Sequence, residues 1–124
     1  EAPAFKVYED AHTMALMDIM PQAEGHTLVI PKEHAVDIHD LSPDGAAALI
    51  KTTQRVATAV KQVTAAPGIM LAQLSGAAAG QTVFHIHFHV IPRSSGLDLK
   101  LHARETANFE QLKALAAKIA AAIR

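Results

Sequence analysis

Three histidines alternate with apolar residues in the segment 83–91, VFHIHFHVI, and this alternation constrains the fold more than any other feature of the chain. Successive side chains of an extended strand point to opposite faces, so His85, His87 and His89 are predicted to share one face. The alternating apolar residues are predicted to face the core, namely Phe84, Ile86, Phe88 and Val90. We therefore expect a strand over 83–91 that carries a row of imidazoles on one side.

Three neighbouring imidazoles have few structural uses, because each buried ring needs polar partners and adjacent cations repel each other. Two kinds of function remain. In nucleophilic catalysis, a neutral imidazole attacks an electrophilic centre while its neighbours fix its tautomer and donate to the leaving group. In a metal site, two histidines at positions i and i+2 of a strand share a tetrahedral ion with a third ligand.

The loop before the histidines favours phosphorus chemistry over a metal. Residues 76–80, GAAAG, are small enough to bring backbone N–H groups close to an anion. Gln81 and Thr82 then add neutral donors directly before the histidine segment. The sequence therefore predicts a nucleophilic histidine site that acts on a phosphate compound.

The remaining sequence predicts a mixed α+β fold, with about five largely antiparallel strands and two main helices in one domain over residues 1–124. Ser42 and Pro43 supply an N-cap and a first helical residue for a helix that ends at Pro67-Gly68. Apolar residues at helical spacing predict a terminal helix from about Asn108. The predicted strands are 6–8, 13–19, 26–30, 69–74 and 83–91.

The composition narrows the choice of partner. Eleven Lys and Arg against twelve Asp and Glu give a formal net charge of -1, so no positive field attracts a nucleic acid polymer. No apolar run approaches the ~20 residues that cross a bilayer, and the chain has no cysteine. We expect a cytoplasmic protein with a small-molecule ligand, no membrane contact, no metal and no other cofactor.

Residues 80–93, GQTVFHIHFHVIPR, resemble the signature of the histidine triad (HIT) family, in which histidines and apolar residues alternate after Gly-Gln-Ser/Thr. Residues 18–21, DIMP, and 25–34, GHTLVIPKEH, resemble the second block of that family. The resemblance covers nearly the whole chain and implies the HIT-like α+β fold and a homodimer. It also implies a nucleotide hydrolase or transferase that cleaves at the α-phosphorus of nucleoside phosphoramidates or dinucleoside polyphosphates through a nucleotidyl-histidine intermediate.

The resemblance further implies a role for each site residue. His87 corresponds to the nucleophile, and His89 to the residue that hydrogen-bonds the scissile oxygen or phosphate. His26 and His85 correspond to the pair that orients the nucleophile, His85 partly through its backbone carbonyl. Asp18 occupies the position that typically binds the ribose hydroxyls. The other implied contacts are Ile19 and Leu28 with the nucleobase, and Gln81 and Thr82 with phosphate.

One position departs from the family pattern. Eleven residues before His85, relatives commonly carry asparagine or glutamine, whereas this chain has Leu74. Either a contact to sugar or phosphate is lost here, or Gln73 or Ser75 takes it over, or Leu74 is a packing residue. The Cys-x-x-Cys segment that helps hold zinc in many bacterial relatives is absent from this sequence.

Two alternatives to this enzyme remain open. A nucleotide-binding module with weak or no turnover would keep the pocket while Leu74 impairs the chemistry. A histidine-bound metal enzyme is the other alternative, but the histidine segment brings no thiolate or carboxylate partner. If no cation assists, a leaving group that can be protonated, such as an amine, is expected to suit the site.

Overall fold

The computed structural model describes residues 4–95 and 106–124. Five strands form one sheet in which every neighbouring pair is antiparallel, and two long helices accompany it, so the predicted fold class is confirmed. The elements are β1 (Lys6–Glu9), β2 (Thr13–Met17), β3 (Thr27–Pro31), α1 (Pro43–Thr64), β4 (Gly68–Gln73), β5 (Phe88–Arg93) and α2 (Phe109–Ala122). The order of the strands in the sheet is β1-β2-β3-β5-β4.

Both helices begin at the residues that the sequence predicts. The Ser42 hydroxyl accepts a hydrogen bond from the Gly45 amide at 2.9 Å, and the Asn108 side chain accepts one from the Gln111 amide at 3.0 Å. Helix α1 ends at Thr64, and the next residue, Ala65, takes the left-handed conformation with φ 55°. No helix within the described ranges combines the length and the apolar character that a membrane crossing requires.

The two helices bury their apolar sides against one face of the sheet. Val29 of β3 and Val90 of β5 belong to the same buried cluster as Val56 of α1 and Ile119 of α2. Side chains alternate along a strand, so His89 lies on the opposite face of the sheet from Val90. One face therefore forms the core, and the other carries the side chain of His89.

The strand predicted over 83–91 is wrong in its boundaries, because β5 begins only at Phe88. The preceding residues bend away from the sheet, and the Ile86 amide donates to the carbonyl of Ala35 at 2.9 Å. Strict alternation fails as well, since Phe84 was expected in the core and is 53% exposed. A bend, rather than an extended strand, therefore sets the directions of the first two histidines of the motif.

Asp10 fixes the turn between β1 and β2. Its carboxylate accepts hydrogen bonds from the amides of His12 and Thr13 and from the Tyr8 hydroxyl, each at 2.8 Å. Desolvation raises the pKa of this carboxyl, but the hydrogen bonds outweigh that effect and lower the pKa from 3.8 to about 2. The ionised form of Asp10 is therefore the form that the fold favours.

We expect Asp10→Asn to lower the free energy of unfolding by about 1 kcal/mol at neutral pH, an amount reduced by the partial exposure of the carboxylate. The pKa of Asp10 is lower in the folded chain, so its contribution is present above about pH 4 and is lost as the pH falls towards about 2. Urea unfolding of both proteins across this range measures the difference. A gap that does not shrink with acidity would show that the charge of Asp10 is not involved.

Candidate active site

Three histidines meet on the face of the sheet that the helices leave uncovered. His26 directly precedes β3, His87 directly precedes β5, and His89 lies within β5, where it pairs with Leu28 across the sheet. The ring centroids of His26 and His89 are 5.2 Å apart, and those of His87 and His89 are 4.9 Å apart. The ring of His85 points elsewhere, with its Nε2 atom 2.8 Å from the Pro31 carbonyl oxygen.

The tautomer of His87 follows from its hydrogen bond. Its Nδ1 atom lies 2.9 Å from the backbone carbonyl oxygen of His85, which can only accept, so the proton of the neutral ring is on Nδ1. The Nε2 atom then carries a lone pair. His85 thus contacts His87 through its carbonyl, the contact that the family resemblance implies, and this bond leaves the Nε2 lone pair of a half-buried ring without a proton, as a nucleophilic role requires.

His89 has the opposite tautomer. The backbone amide of Gln22 donates to Nδ1 of His26 at 3.0 Å, so the proton of a neutral His26 is on Nε2. That Nε2 atom lies 3.0 Å from Nδ1 of His89 and donates to it, which places the proton of His89 on its own Nε2. His26 was expected to orient the nucleophile His87, but the structure places it against His89 instead.

Asp18 completes this buried group. Its Oδ1 atom accepts from the Met20 amide at 2.8 Å, and its Oδ2 atom lies 3.4 Å from Nε2 of His26. The side chain of Asp18 is 12% exposed, while His26 and His89 are 0% and 2% exposed. Few water molecules can reach these groups, so their mutual hydrogen bonds set their protonation states.

Asp18, His26 and His89 hold their potential ligand atoms within 4.8 Å of one another, close enough to share a metal ion. The hydrogen bond from Gln22 argues against such an ion. If Nδ1 of His26 accepts the Gln22 amide proton and Nε2 ligates an ion, the ring must lose its last proton and become an imidazolate. A hydrogen-bonded network accounts for the cluster with ordinary protonation states. The expectation of no metal stays a prediction.

Gln81 and Thr82 lie in different surroundings. Gln81 is buried, and its Oε1 atom accepts from the Gly76 amide at 2.7 Å. Its Nε2 atom donates to the carbonyls of Val36 at 2.6 Å and Val83 at 3.1 Å. Both amide hydrogens of Gln81 are therefore used to hold the loop, where a phosphate contact was expected. Thr82 is exposed to solvent.

A cavity of about 400 Å³ opens beside His87 and has mainly apolar walls. Of the two residues expected to contact a nucleobase, Leu28 lines this cavity, whereas Ile19 packs against the core and its carbonyl accepts from the Ala107 amide. Ile30 also lines the cavity and was not predicted to do so, although its spacing of two from Leu28 was a usable signal. The lining residues are Met14, Leu28, Ile30, Pro31, Lys32, Val83, His85 and His87.

A larger groove of about 1040 Å³ runs between the β1–β2 turn and the first half of α1. Its residues include Asp10, which holds that turn, and Glu33, which accepts from the amide and hydroxyl of Ser42. The carboxylates of Asp10 and Glu33 are already engaged in these structural hydrogen bonds. None of His26, His87 and His89 lines the groove. The histidine cavity is therefore the better candidate for chemistry.

Comparison with known proteins agrees with this geometry. A model of the HIT domain matches residues 1–96. The chain belongs to the HIT family. A HIT-like protein from Bartonella henselae, described as involved in cell-cycle regulation, has a structure with a TM-score of 0.91 and 44% identity, covering 98% of this chain and 88% of that one.

Two other relatives carry functional descriptions. A protein of Sulfolobus tokodaii described as a hypothetical histidine triad nucleotide-binding protein has a TM-score of 0.88 and 32% identity, and the match covers 98% of this chain and 84% of that one. A protein of Arabidopsis thaliana named as an adenylylsulfatase is 37% identical over 93 residues, which are 75% of this chain and 47% of the plant protein.

Within this HIT domain, Leu74 packs against the small-residue loop. It is half-buried just after β4, and its Cδ1 atom lies 3.4 Å from the point where a Cβ atom on Gly80 would stand. The flanking polar residues bond to each other and to the backbone: the Ser75 hydroxyl donates to Gln73 Oε1 at 2.9 Å and accepts from the Ile38 amide at 3.2 Å. These contacts favour the interpretation that Leu74 supports the loop.

We therefore expect Leu74→Asn to lower the free energy of unfolding by about 1 to 2 kcal/mol, because a polar group replaces packed methyl groups. No increase in kcat/KM towards nucleotide substrates is expected. Leu74→Met serves as the matched control, since it keeps an apolar contact of similar volume and should retain the melting temperature. Faster turnover of the asparagine variant at an unchanged melting temperature would instead identify a lost substrate contact.

Proposed function

We propose that this HIT domain is a nucleotide hydrolase or nucleotidyl transferase that cleaves at the α-phosphorus of nucleoside phosphoramidates or dinucleoside polyphosphates. One observation carries the proposal: neighbouring histidines have opposite tautomers, with a lone pair on Nε2 of His87 and a proton on Nε2 of His89. A nucleophile and a hydrogen-bond donor therefore stand side by side, with ring centroids 4.9 Å apart. The relatives named for nucleotide binding and for adenylylsulfatase activity support a nucleotide as substrate.

The reaction has two displacements at phosphorus. In the first, the Nε2 lone pair of His87 forms a bond to the α-phosphorus, and the bond from phosphorus to the leaving group breaks with its electron pair on the leaving atom. The proton on Nδ1 of His87 stays on that nitrogen and remains hydrogen-bonded to the His85 carbonyl, which stabilises the positive ring of the nucleotidyl intermediate. In the second, a water molecule or another acceptor attacks phosphorus, the electron pair returns to Nε2, and the acceptor proton passes to solvent.

The surrounding residues supply binding contacts in this proposal. Asp18, at the end of β2, is assigned to the ribose hydroxyls, and Leu28 to the nucleobase. Thr82 and the backbone amides of the small-residue loop are assigned to the phosphate oxygens, with Gln81 holding that loop in place. The proposal assigns the stabilisation of phosphate charge to these neutral donors and to His89.

A nucleotide-binding module with weak or no turnover is the second candidate function. Leu74 favours it, because this position commonly carries an amide side chain in relatives and here carries a packing residue. The two candidates share a pocket and differ in whether a covalent intermediate forms. Tight binding of a nucleotide without release of nucleoside monophosphate would favour the binding module.

We expect His87→Ala to reduce turnover by at least about a thousandfold, because the variant lacks the imidazole whose Nε2 lone pair is assigned to the attack on phosphorus. His87→Asn should lose turnover equally and keep nucleotide affinity, since the pocket retains its shape. Mass spectrometry of protein quenched during turnover should find one nucleoside monophosphate on His87. An adduct on another residue, or appreciable turnover by the alanine variant, would remove His87 from this role.

We also propose the homodimer that the family resemblance implies. Strand β4 is at one edge of the sheet, and no other described strand pairs with its outer side. Leu71 of β4 and Ile50 of α1 are 45% and 48% exposed, which is high for large apolar side chains. Light scattering measures the mass in solution, and a monomer at all concentrations would contradict the dimer.

A further inference from the structure

A salt bridge joins β1 to the residue that follows β3, at the wall of the cavity beside His87. The Nζ atom of Lys32 is 2.6 Å from Oε2 of Glu9, and Lys6 binds the other oxygen of the same carboxylate. Lys32 also lines the cavity. We infer that Lys32 is the cationic contact for the phosphate of a nucleotide bound in this cavity, and that Glu9 is the positioning residue for its ammonium group. This inference rests on the proposed function and adds a binding residue to it.

The register of the sheet places the salt bridge on the face where the cavity opens. Glu9 of β1 lies opposite Met14 of β2, and Met14 lies opposite Ile30 of β3. Directly opposite residues of neighbouring strands point to the same face, and both Met14 and Ile30 line the cavity. Lys32 follows Ile30 at a spacing of two, and its amide extends the strand pairing by donating to the carbonyl of His12 at 2.8 Å. Glu9 and Lys32 therefore share this face of the sheet.

Lys32 supplies the positive charge of a cavity whose other walls are apolar side chains and imidazoles. Among the described residues that line the cavity, it is the only lysine, arginine, aspartate or glutamate. A nucleotide phosphate is an anion, and moving it from water to apolar walls is costly unless charged or hydrogen-bonding partners replace the water. The ammonium group has three N–H donors and uses one of them on Glu9, so two remain for phosphate oxygens.

Glu9 holds the ammonium group without cancelling the positive charge of this region. Its carboxylate is shared between Lys32 and Lys6, so two ammonium groups against one carboxylate leave one net positive charge. The hydrogen bonds from Lys32 and then from Lys6 lower the pKa of Glu9 from 4.5 to about 2, so the carboxylate stays ionised at neutral pH. The side chains of Lys32 and Glu9 are 39% and 38% exposed, so water and salt reduce the attraction for a ligand to a modest factor.

The binding of adenosine 5'-monophosphate and of adenosine tests the inference without turnover, because the two ligands differ only in the phosphate. Isothermal titration calorimetry measures both dissociation constants. For Lys32→Met we expect the affinity for the monophosphate to fall by about fivefold, near the upper limit for an exposed ion pair, and the affinity for adenosine to stay unchanged. Lys32→Arg keeps the charge and should retain most of the affinity. Added salt should weaken binding of the monophosphate to the unmodified protein more than to the methionine variant.

Lys51→Met is the matched control for the loss of a lysine. Lys51 is exposed on α1 and lines the larger groove, and it is not among the described residues that line the cavity. The control removes the same net charge as Lys32→Met, so a loss of affinity that both variants share would come from the overall charge of the protein. We expect Lys51→Met to bind the monophosphate as the unmodified protein does.

Two variants of Glu9 test the positioning role. Glu9→Gln and Glu9→Met remove the same charge, but only the glutamine oxygen can still accept a hydrogen bond from Lys32. The glutamine variant should therefore bind the monophosphate about threefold more tightly than the methionine variant, which corresponds to the cost of immobilising one long side chain. This difference should vanish when Lys32→Met is combined with either variant, because the ammonium group that Glu9 positions is then absent.

Equal affinity of the unmodified protein and Lys32→Met for the monophosphate overturns the inference, and so does an equal loss in Lys51→Met. Equal affinity of the two Glu9 variants overturns the positioning role. Melting temperatures show whether each variant folds. If Lys32→Met does not fold, the salt dependence of the unmodified protein decides, and affinity that is independent of salt overturns the inference. Intact binding of the monophosphate with no adduct on His87 during turnover would instead contradict the proposed function and leave the phosphate contact supported.

Discussion

The hydrogen bond between His26 and His89 is the contact that organises the polar cluster of this domain. It joins a residue just before β3 to a residue in β5, and the antiparallel register that pairs Leu28 with His89 brings the two rings together. The helices and the other strands keep this pair of strands in place. The helices bury one face of the sheet, and the other face holds an apolar cavity beside a small polar cluster in shielded surroundings, where hydrogen bonds determine protonation.

Local signals were sufficient for the helices and insufficient for the histidine segment. Ser42, Pro43 and Asn108 act on backbone groups within a few residues of themselves, so the sequence alone predicts where both helices begin. The alternation of histidines has the period of a strand, but the segment before Phe88 is held by a bond from the Ile86 amide to Ala35 in a distant loop. No local pattern contains that information.

The site was predictable as a set of residues and not as a network. The motif identified His26, His87 and His89, and the structure brings these three together. The motif did not show which nitrogen of each ring carries a proton, because the proton positions depend on contacts between groups far apart in the sequence. Gln81 illustrates the same limit. An amide side chain directly before the histidine segment suits a phosphate contact, yet its oxygen and its nitrogen are both hydrogen-bonded to backbone groups.

The position of His26 is in turn set by the helix. Gly25 has φ +103°, and a Cβ atom there would stand 2.8 Å from the Cγ2 atom of Thr64 near the end of α1, so only glycine lets the chain pass this close to the helix. This close approach fixes the turn from Gln22 to Gly25 in the position from which the Gln22 amide donates to Nδ1 of His26. The triad motif alone permits either tautomer of His89. The close approach between this loop and α1, which lies outside the motif, selects one of them.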